Sequence, residues 1–199
     1  MAQLTSELVE SLRRLDACTV SNAIERFECR LRNEGFGDGT VRALFDDVRP
    51  AVGYAATARI RCSSPPPVGP RYRDRTDWWS YILTIPPPRL VVVEDVDERP
   101  GRGAFVGYVH TQILRALGCV AYVTNGSVRD LDAVAPMGFP LLAGSVSVSH
   151  AFVHIVDFDQ PVTVAGLPVK AGDIVYADRH GFLTIPPEVV DDSTAFAHW

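Results

Sequence analysis

Near its middle the chain reads Gly118-Cys119-Val120-Ala121-Tyr122-Val123-Thr124-Asn125-Gly126-Ser127-Val128-Arg129-Asp130-Leu131. The apolar run at 119–123 is typical of a buried strand, and Gly126 then allows a tight turn. Arg129 and Asp130 follow, and they combine a guanidinium that can grip a carboxylate with an oxygen donor for a divalent cation. Such a pair can hold a 2-oxo acid beside a metal ion. The alternative is an Arg-Asp pair that only caps a helix beginning near Asp130.

An amphipathic helix is predicted just before this strand, from Ala104 to Leu117, with small residues on one side and an apolar stripe on another. Gly118 is suited to end it as a carboxy-terminal cap. The glycine-rich loop 100–103 precedes this helix, so its free backbone N–H groups could bind a carboxylate at the helix start. The glycine spacing does not match a dinucleotide-binding fingerprint.

The rest of the chain alternates helices and strands and then becomes rich in strands. Leu8, Leu12 and Leu15 predict a first helix capped by Ser6, and a second short helix is expected after Thr19. Strands are predicted at 53–61, at 90–93 and in the apolar run 139–143, followed by short strands with turns at 165–166, 171–172 and 180–181. This order predicts an α/β protein, with residues 1–199 forming a single domain.

The composition of the chain indicates which kinds of partner and which cellular location to expect. With 199 residues, 47% of them hydrophobic, the chain can bury one substantial core, and its net charge of -5 argues against a nucleic-acid binder. No window reaches the ~20 apolar residues of a membrane span, and the amino terminus lacks the features of a secretory signal, so a cytoplasmic location is expected. The four cysteines show no paired spacing and are expected to be reduced and mostly buried.

Three further clusters each have two interpretations. The segment 71–81 mixes arginines with aromatic residues, namely Arg71, Arg73, Arg75, Trp78, Trp79 and Tyr81, and could line a pocket or cover the surface. His150 and His154 could be metal ligands on one face, or they could have a structural or pocket-lining role. The run 178–181, Asp-Arg-His-Gly, holds the groups of a proton relay but is also typical of a turn.

Taken in order, several motifs resemble the RraA-like family over residues 19–186. They are Gly118-Cys119, the run 125–130, Gly138-Phe139-Pro140, Val164-Ala165-Gly166, Gly172-Asp173 and the run 178–181. That family includes the 4-hydroxy-4-methyl-2-oxoglutarate aldolases, which are class II pyruvate aldolases, and the regulators of ribonuclease activity. The resemblance implies a swivelling β/β/α domain assembled as a homotrimer or a dimer of trimers, with active sites at subunit boundaries.

The resemblance also implies roles for individual residues. Arg129 would hold the pyruvyl part of the substrate, Asp130 would bind Mg²⁺ or Mn²⁺ directly or through water, and residues 107–110 would supply backbone amides to the substrate. Those amides belong to Gly107, Tyr108, Val109 and His110. The function predicted is a divalent-metal-dependent lyase of the aldolase or oxaloacetate decarboxylase type, acting on a small 2-oxo acid through a metal-stabilised enolate. The alternative is a non-catalytic RraA-like binding protein.

This sequence departs from the family pattern where protons are handled. Tyr108 stands where family aldolases carry an acidic residue, and Asn22 stands where many relatives have Asp. Family aldolases also continue into a carboxy-terminal helix whose glutamate reaches a neighbouring subunit, and that glutamate is expected to be absent here. Proton transfer would then pass to Tyr108, His110 or His150.

Overall fold

The computed structural model of the protein describes residues 3–47, 49–69, 73–191 and 196. The helices are α1 (Ser6–Leu12), α2 (Ala17–Glu25), α3 (Arg75–Thr84), α4 (Tyr108–Ala116), α5 (Leu131–Val134) and α6 (Pro187–Asp191). The strands are β1 (Arg42–Ala43), β2 (Ala51–Arg61), β3 (Arg89–Asp95), β4 (Ala104–Val106), β5 (Cys119–Val128), β6 (Leu141–Val146), β7 (His154–Phe158), β8 (Val162–Val164), β9 (Leu167–Val169), β10 (Ile174–Asp178) and β11 (Gly181–Ile185).

Within the described residues, nine strands form one mixed sheet. Its main path runs β1-β6-β5-β3-β2-β10-β11, while β4 pairs with β5 and β7 pairs with β2. The neighbours β2, β3, β5 and β6 are parallel, and β1, β10 and β11 extend the path with antiparallel pairs. Strands β8 and β9 form a separate hairpin. The α/β class predicted from the sequence is confirmed.

The central strands are buried on both faces, which explains why they read as continuous apolar runs. Along β3, Val91 and Val93 belong to the cluster that packs under the helices, whereas Leu90 and Val92 belong to a second cluster with the β8–β9 hairpin. Strand β5 divides in the same way, with Tyr122 on the first side and Val123 on the second. Parallel strands require cover on both sides, and the hairpin supplies the second layer.

The amino-terminal helices form where predicted, but their starts differ by a few residues. Helix α1 is capped by Thr5, whose side chain accepts the backbone N–H of Leu8, so the expectation of Ser6 as the cap is wrong. Helix α2 begins at Ala17 because Asp16 accepts the backbone N–H of Thr19 at 2.7 Å. A carboxylate at this position satisfies an amide that lacks an intrahelical partner.

Strand β5 is longer than predicted, so the tight turn expected at Gly126 is wrong. The strand continues to Val128, with a shift of register against β6 between Thr124 and Ser127. Asn125 supports the extension, since its side chain accepts the backbone N–H of Asp95 at 2.7 Å and donates to the backbone carbonyl of Asp95 at 3.0 Å. A Cβ at Gly126 would lie 3.1 Å from the Cβ of Asp95. The absence of a side chain at Gly126 therefore allows β3 and β5 to lie close together at this point.

The helix predicted from Ala104 actually begins at Tyr108, because residues Ala104–Val106 form strand β4 beside β5. The glycine-rich loop 100–103 thus leads into a strand, and the anion site expected at its junction with a helix is wrong. Its Gly101 N–H instead donates to the side chain of Asp95 at 2.8 Å. Gly118 does end α4, with φ +74° and a hydrogen bond from its N–H to the carbonyl of Arg115.

Two of the four cysteines are buried, Cys62 and Cys119, and the other two are exposed, so the expectation of mostly buried thiols holds for half of them. Across the described ranges of the chain, we find no helix with the length and apolar character that crossing a membrane requires.

Candidate functional site

The carboxyl ends of β4 and β5 bring two chain segments together. The backbone N–H of Arg129 donates to the carbonyl of Val106 at 3.0 Å, which sets the start of α4 beside the Arg129–Asp130 pair. A cavity of about 410 Å³ opens at this junction. It is lined by Arg75, Trp79, Phe105, Gly107, Val109, His110, Ile113, Arg129, Asp130 and His150.

Arg129 and Asp130 form an ion pair at the cavity, with the Nε of Arg129 3.0 Å from Oδ1 of Asp130. The other carboxylate oxygen, Oδ2, accepts the backbone N–H of Tyr108 at 3.0 Å. The hydrogen bond from Tyr108 and then that from Arg129 lower the pKa of Asp130, so this carboxylate is ionised at neutral pH. Both side chains remain partly exposed to the cavity.

Asp130 stands at the amino-terminal cap position of α5, but its side chain makes no capping hydrogen bond to that helix. The simple capping interpretation of the Arg-Asp pair is therefore wrong for the helix that follows. The carboxylate instead accepts a hydrogen bond from the first backbone N–H of α4, that of Tyr108. The backbone of Asp130 is left-handed, with φ +60°, a conformation that residues other than glycine rarely adopt.

Gly107 is the point at which the two segments touch. A Cβ placed there would lie 2.5 Å from Oδ2 of Asp130 and 2.7 Å from Cγ of Arg129. Only a residue without a side chain leaves room for the pair. The sequence identified this glycine through the family resemblance, and the structure gives it a steric reason.

His110 is buried in the cavity wall with both ring nitrogens engaged. Nδ1 lies 3.1 Å from the carbonyl of Phe105, and Nε2 accepts the indole N–H of Trp79 at 3.2 Å. A carbonyl can only accept, so these partners assign the proton to Nδ1. Burial, aided by Arg75 and His150, lowers the pKa of His110 to about 4 against the opposing effect of Phe105. The ring is neutral and held in one orientation.

His150 lies in the exposed turn before β7 and also lines the cavity. Its Nδ1 lies 2.8 Å from the carbonyl of Ala104 on β4. His154, four residues later, is buried and engages the carbonyl of Phe152 through its own Nδ1 at 2.8 Å. The two histidines do not form a metal cluster with a third ligand among the described residues. The pocket-lining interpretation applies to His150 and the structural one to His154.

Tyr108 is not among the residues that line the cavity. It is exposed, and its hydroxyl accepts a hydrogen bond from the amide of Gln112 at 3.1 Å. Tyr108 thus contributes its backbone N–H to the site through Asp130. Val109, which follows it, is exposed and lines the cavity.

The arginine and aromatic segment divides between core and cavity. Trp78 and Tyr81 are buried in the core, while Arg75 and Trp79 line the cavity. The guanidinium carbon of Arg75 lies 5.4 Å from the centre of the Phe105 ring. Arg73 is exposed, and Arg71 lies outside the described residues. The pocket-lining interpretation therefore holds for two members of the segment.

A second polar cluster, Cys62, Asp95 and Asp97, was missed by the sequence analysis. It lies where the parallel strands β2 and β3 end, and its ligand-type atoms lie within 4.8 Å of one another. The carboxylate of Asp97 accepts both the Cys62 and Ser63 backbone N–H groups at 2.8 Å, and that of Asp95 accepts the amides of Asp97 and Gly101. These hydrogen bonds give the cluster a structural role. The available signal was the Asp-x-Asp pair at 95–97, one residue after the apolar run 90–93.

Burial shapes the protonation of this cluster. Burial, with the two nearby carboxylates, raises the pKa of the Cys62 thiol to about 12, so the sulfur stays protonated. Burial also raises the pKa of Asp95. At Asp97 the same effect is outweighed by hydrogen bonds from Ser63 and Cys62, and its pKa is lowered. A neutral thiol is a poor metal ligand.

The turn interpretation of 178–181 is confirmed. Asp178 and Gly181 close the β10–β11 hairpin, and the Asp178 carboxylate accepts backbone N–H groups from His180 and Ala17, both at 2.7 Å. Asn22 lines a separate cavity with His180, away from Arg129 and Asp130.

Comparison with known proteins gives consistent results. A family model described as RraA-like, Aldolase/RraA, matches residues 17–184. Over 73 residues the chain is 27% identical to a Halalkalibacterium halodurans protein provisionally named 4-hydroxy-4-methyl-2-oxoglutarate aldolase. That segment is 36% of this chain and 35% of the relative, so the match spans about a third of the relative's length.

Two solved structures are similar in fold. RraAS2 of Streptomyces coelicolor, described as an unusual member of the RNase ES inhibitor RraA protein family, has a TM-score of 0.72 at 22% identity and covers 98% of this chain and 94% of its own. An RNA-processing inhibitor RraA from a Thermus species has a TM-score of 0.57 at 18% identity, with coverages of 77% and 85%. At such identities the similarity establishes a shared fold, and it confirms the RraA-type fold expected from the sequence.

Proposed function

The chain belongs to the RraA-like family, and from this we propose that it is a divalent-metal-dependent carbon-carbon lyase acting on a small 2-oxo acid. The family includes metal-dependent aldolases and decarboxylases as well as non-catalytic ribonuclease regulators. The observation that carries the proposal is the ionised Arg129–Asp130 pair, set in a cavity at the start of α4. A protein-binding scaffold has no chemical need for that arrangement.

Substrate binding is assigned to Arg129 and α4. The Nε of Arg129 is used by Asp130, whereas its two terminal nitrogens have no hydrogen-bond partner among the described residues and can grip a carboxylate. The first amides of a helix lack intrahelical partners, so Val109 and His110 can present backbone N–H groups to the same anion. The Tyr108 amide is already committed to Asp130.

The metal is assigned to Asp130. Magnesium and manganese prefer oxygen ligands, and Mg²⁺ is commonly held by one or two carboxylates with water and substrate completing the shell. Asp130 fits this pattern because it is ionised, partly exposed to the cavity and fixed by two hydrogen bonds. When bound, the cation neutralises the charge that develops on the substrate oxygen as the carbon-carbon bond breaks.

The buried ring of His110 is proposed to hold the start of α4 in position. With Nδ1 on Phe105 and Nε2 on Trp79, it has no free nitrogen for the proton transfer considered from the sequence. It instead ties α4 to α3 and to β4, which fixes the amides at the start of α4. The Tyr108 hydroxyl is bonded to Gln112 and does not line the cavity, so the role proposed for Tyr108 is that of its backbone N–H.

Assembly as a homotrimer or dimer of trimers is also proposed, with the site at a subunit boundary. Several large apolar side chains are exposed on the two segments that border the cavity: Tyr108, Val109, Val146, Val148 and Phe152. Exposed apolar side chains concentrated beside a site are typical of interaction surfaces. Covering them with a second copy would also close the mouth of the cavity.

The test is an assay of pyruvate release by the purified protein. Oxaloacetate and 4-hydroxy-4-methyl-2-oxoglutarate are each supplied with Mg²⁺, with Mn²⁺ and with excess chelator. A lyase releases pyruvate from at least one substrate, and chelation abolishes the release. Metal-independent turnover would overturn the assignment of the cation.

Release from neither substrate would favour the second candidate, a non-catalytic RraA-like regulator. The observation that favours it is that Tyr108 stands where an acidic residue is expected and does not line the cavity.

A further inference from the structure

We propose that His150 is the catalytic residue that carries the proton to and from the substrate carbon. The inference rests on the proposed lyase function and names a residue for a step that any reaction through a pyruvate enolate requires. Carbon-carbon cleavage leaves an enolate, and a proton must be delivered to its terminal carbon to give pyruvate. Three features of the structure point to His150: how it is held, which nitrogen is free, and what surrounds it.

The turn that carries His150 is held to β4 by two hydrogen bonds, both of them made by the backbone of Ala104. The backbone N–H of Ala104 donates to the carbonyl of Ser149 at 2.9 Å, and the carbonyl of Ala104 faces Nδ1 of His150 at 2.8 Å. Beneath the turn, a Cβ on Gly103 would lie 2.4 Å from the backbone oxygen of His150. Although the turn is exposed, the imidazole is therefore oriented by the same strand that leads to the start of α4.

The contact with Ala104 also decides which nitrogen can transfer a proton. A backbone carbonyl only accepts hydrogen bonds, so Nδ1 keeps its proton in both protonation states of the ring. Nε2 has no hydrogen-bond partner within the described part of the chain. The free nitrogen therefore gains and loses the proton, while the other holds the ring in place.

The other polar groups lining the cavity are unsuited to this task. The guanidinium groups of Arg129 and Arg75 carry only hydrogen-bond donors and have no acceptor atom that could take up a proton. Asp130 is an ionised carboxylate committed to Arg129, to Tyr108 and to the proposed cation. His110 has both nitrogens engaged, and Trp79 donates its only N–H to His110. Among the described lining residues, His150 is the titratable group with an uncommitted nitrogen.

The step balances in atoms and electrons. The proton on Nε2 of the His150 imidazolium passes to C3 of the enolate, and the electron pair of the C2–C3 double bond becomes the new C–H bond. The C2–O bond becomes the carbonyl, and Nε2 keeps the electrons of the broken N–H bond. Solvent water then reprotonates the ring. In reverse, the neutral Nε2 removes a proton from the methyl group of pyruvate.

The experiment separates this step from carbon-carbon cleavage. Exchange of the pyruvate methyl protons in D₂O, followed by NMR, requires the proton transfer alone. Release of CO₂ from oxaloacetate forms the enolate before any proton is delivered to carbon. In the Mg²⁺-loaded His150→Gln protein we expect methyl exchange to fall by about 100-fold or more, and CO₂ release to fall far less. Binding of oxalate, measured by calorimetry, should be unchanged.

His154→Gln is the matched control. It removes a nearby histidine that also holds a backbone carbonyl through Nδ1 but does not line the cavity, and it should keep both reactions. Equal loss of exchange and CO₂ release in His150→Gln would mean a structural role and would overturn the proposal. So would exchange at the wild-type rate. A wild-type protein with neither reaction would overturn the lyase function itself.

Discussion

The carboxylate of Asp130 accepts the backbone N–H of Tyr108 at 3.0 Å, so a residue at the start of α5 caps the start of α4. The positive end of the α4 dipole therefore faces an ionised side chain. This contact orients the proposed metal ligand and helps to place the amides proposed to bind substrate, and it lies beside the close approach of Arg129 to Gly107.

Replacing Gly107 by Ala is expected to disrupt both members of the Arg129–Asp130 pair. The added Cβ would lie 2.5 Å from Oδ2 of Asp130, so the carboxylate must move off the Tyr108 amide. We expect a loss of about 1–3 kcal/mol in the free energy of unfolding, measured by urea titration, together with weaker Mn²⁺ binding. Gly39→Ala is the control, because nothing lies within 4 Å of its added Cβ. Unchanged Mn²⁺ binding in Gly107→Ala would contradict the proposed fit.

Asp130→Asn is expected to remove the metal with little effect on the fold. The amide oxygen can still accept the N–H of Tyr108, but the negative charge is lost. Loss of a supporting residue around a metal ligand typically costs ~10–100-fold in affinity, so loss of the ligand should exceed about 100-fold. Mn²⁺ titration followed by electron paramagnetic resonance measures this directly. Asp132→Asn, two residues along, should bind Mn²⁺ like the wild type; equal affinity in both variants would place the cation elsewhere.

Arg129→Lys tests whether the guanidinium of Arg129 binds the substrate carboxylate. Lysine keeps the charge but cannot donate from Nε to Asp130 and from two terminal nitrogens to a substrate at once. One lost charged hydrogen bond costs about 1.5–3 kcal/mol, so kcat/KM for oxaloacetate should fall by ~10–100-fold. Arg115→Lys on the last turn of α4 serves as the control. If both variants turn over normally, Arg129 does not hold the substrate.

The sequence predicts the centre of this fold well because its signals there are local. Long apolar runs mark β3 and the first half of β5, and Gly118 marks the end of α4 by its left-handed backbone. Arg129 and Asp130 follow directly from such a run. In each case the determining interactions lie within a few residues of one another.

The features that were missed depend on partners far away in the chain. Residues Ala104–Val106 resemble the first turn of a helix, and only pairing with β5 makes them a strand. The His110 ring is held by a hydrogen bond from Trp79, which lies 31 residues earlier in the chain. Whether a ring nitrogen is free or engaged depends on such distant partners, so the sequence alone does not rank Tyr108, His110 and His150 as candidates for proton transfer.

The pH dependence of stability should report the burial of His110. Its pKa falls from 6.5 to about 4 on folding, so the unfolded chain binds the extra proton between these values. The stabilising contribution is fully present above pH 6.5 and is lost as pH falls toward 4. Between pH 7 and pH 5 this amounts to about 2 kcal/mol at 1.36 kcal/mol per unit.

His110→Gln isolates this contribution. Glutamine offers one acceptor and one donor but does not titrate. From pH 7 to pH 5 the free energy of unfolding should fall by about 2 kcal/mol more in the wild type than in the variant. Urea titration at each pH measures both values. Parallel curves would show that His110 titrates normally in the folded protein.

Val148→Asp tests the proposed subunit boundary. The Val148 side chain is 93% exposed on the segment that borders the cavity, so burial by a second copy would remove it from water. A carboxylate there would have to be desolvated on assembly, and we expect the variant to be monomeric by light scattering. Val68→Asp is the matched control, since Val68 is 92% exposed on a different segment, and it should keep the wild-type mass. A trimeric Val148→Asp would place the interface on another surface.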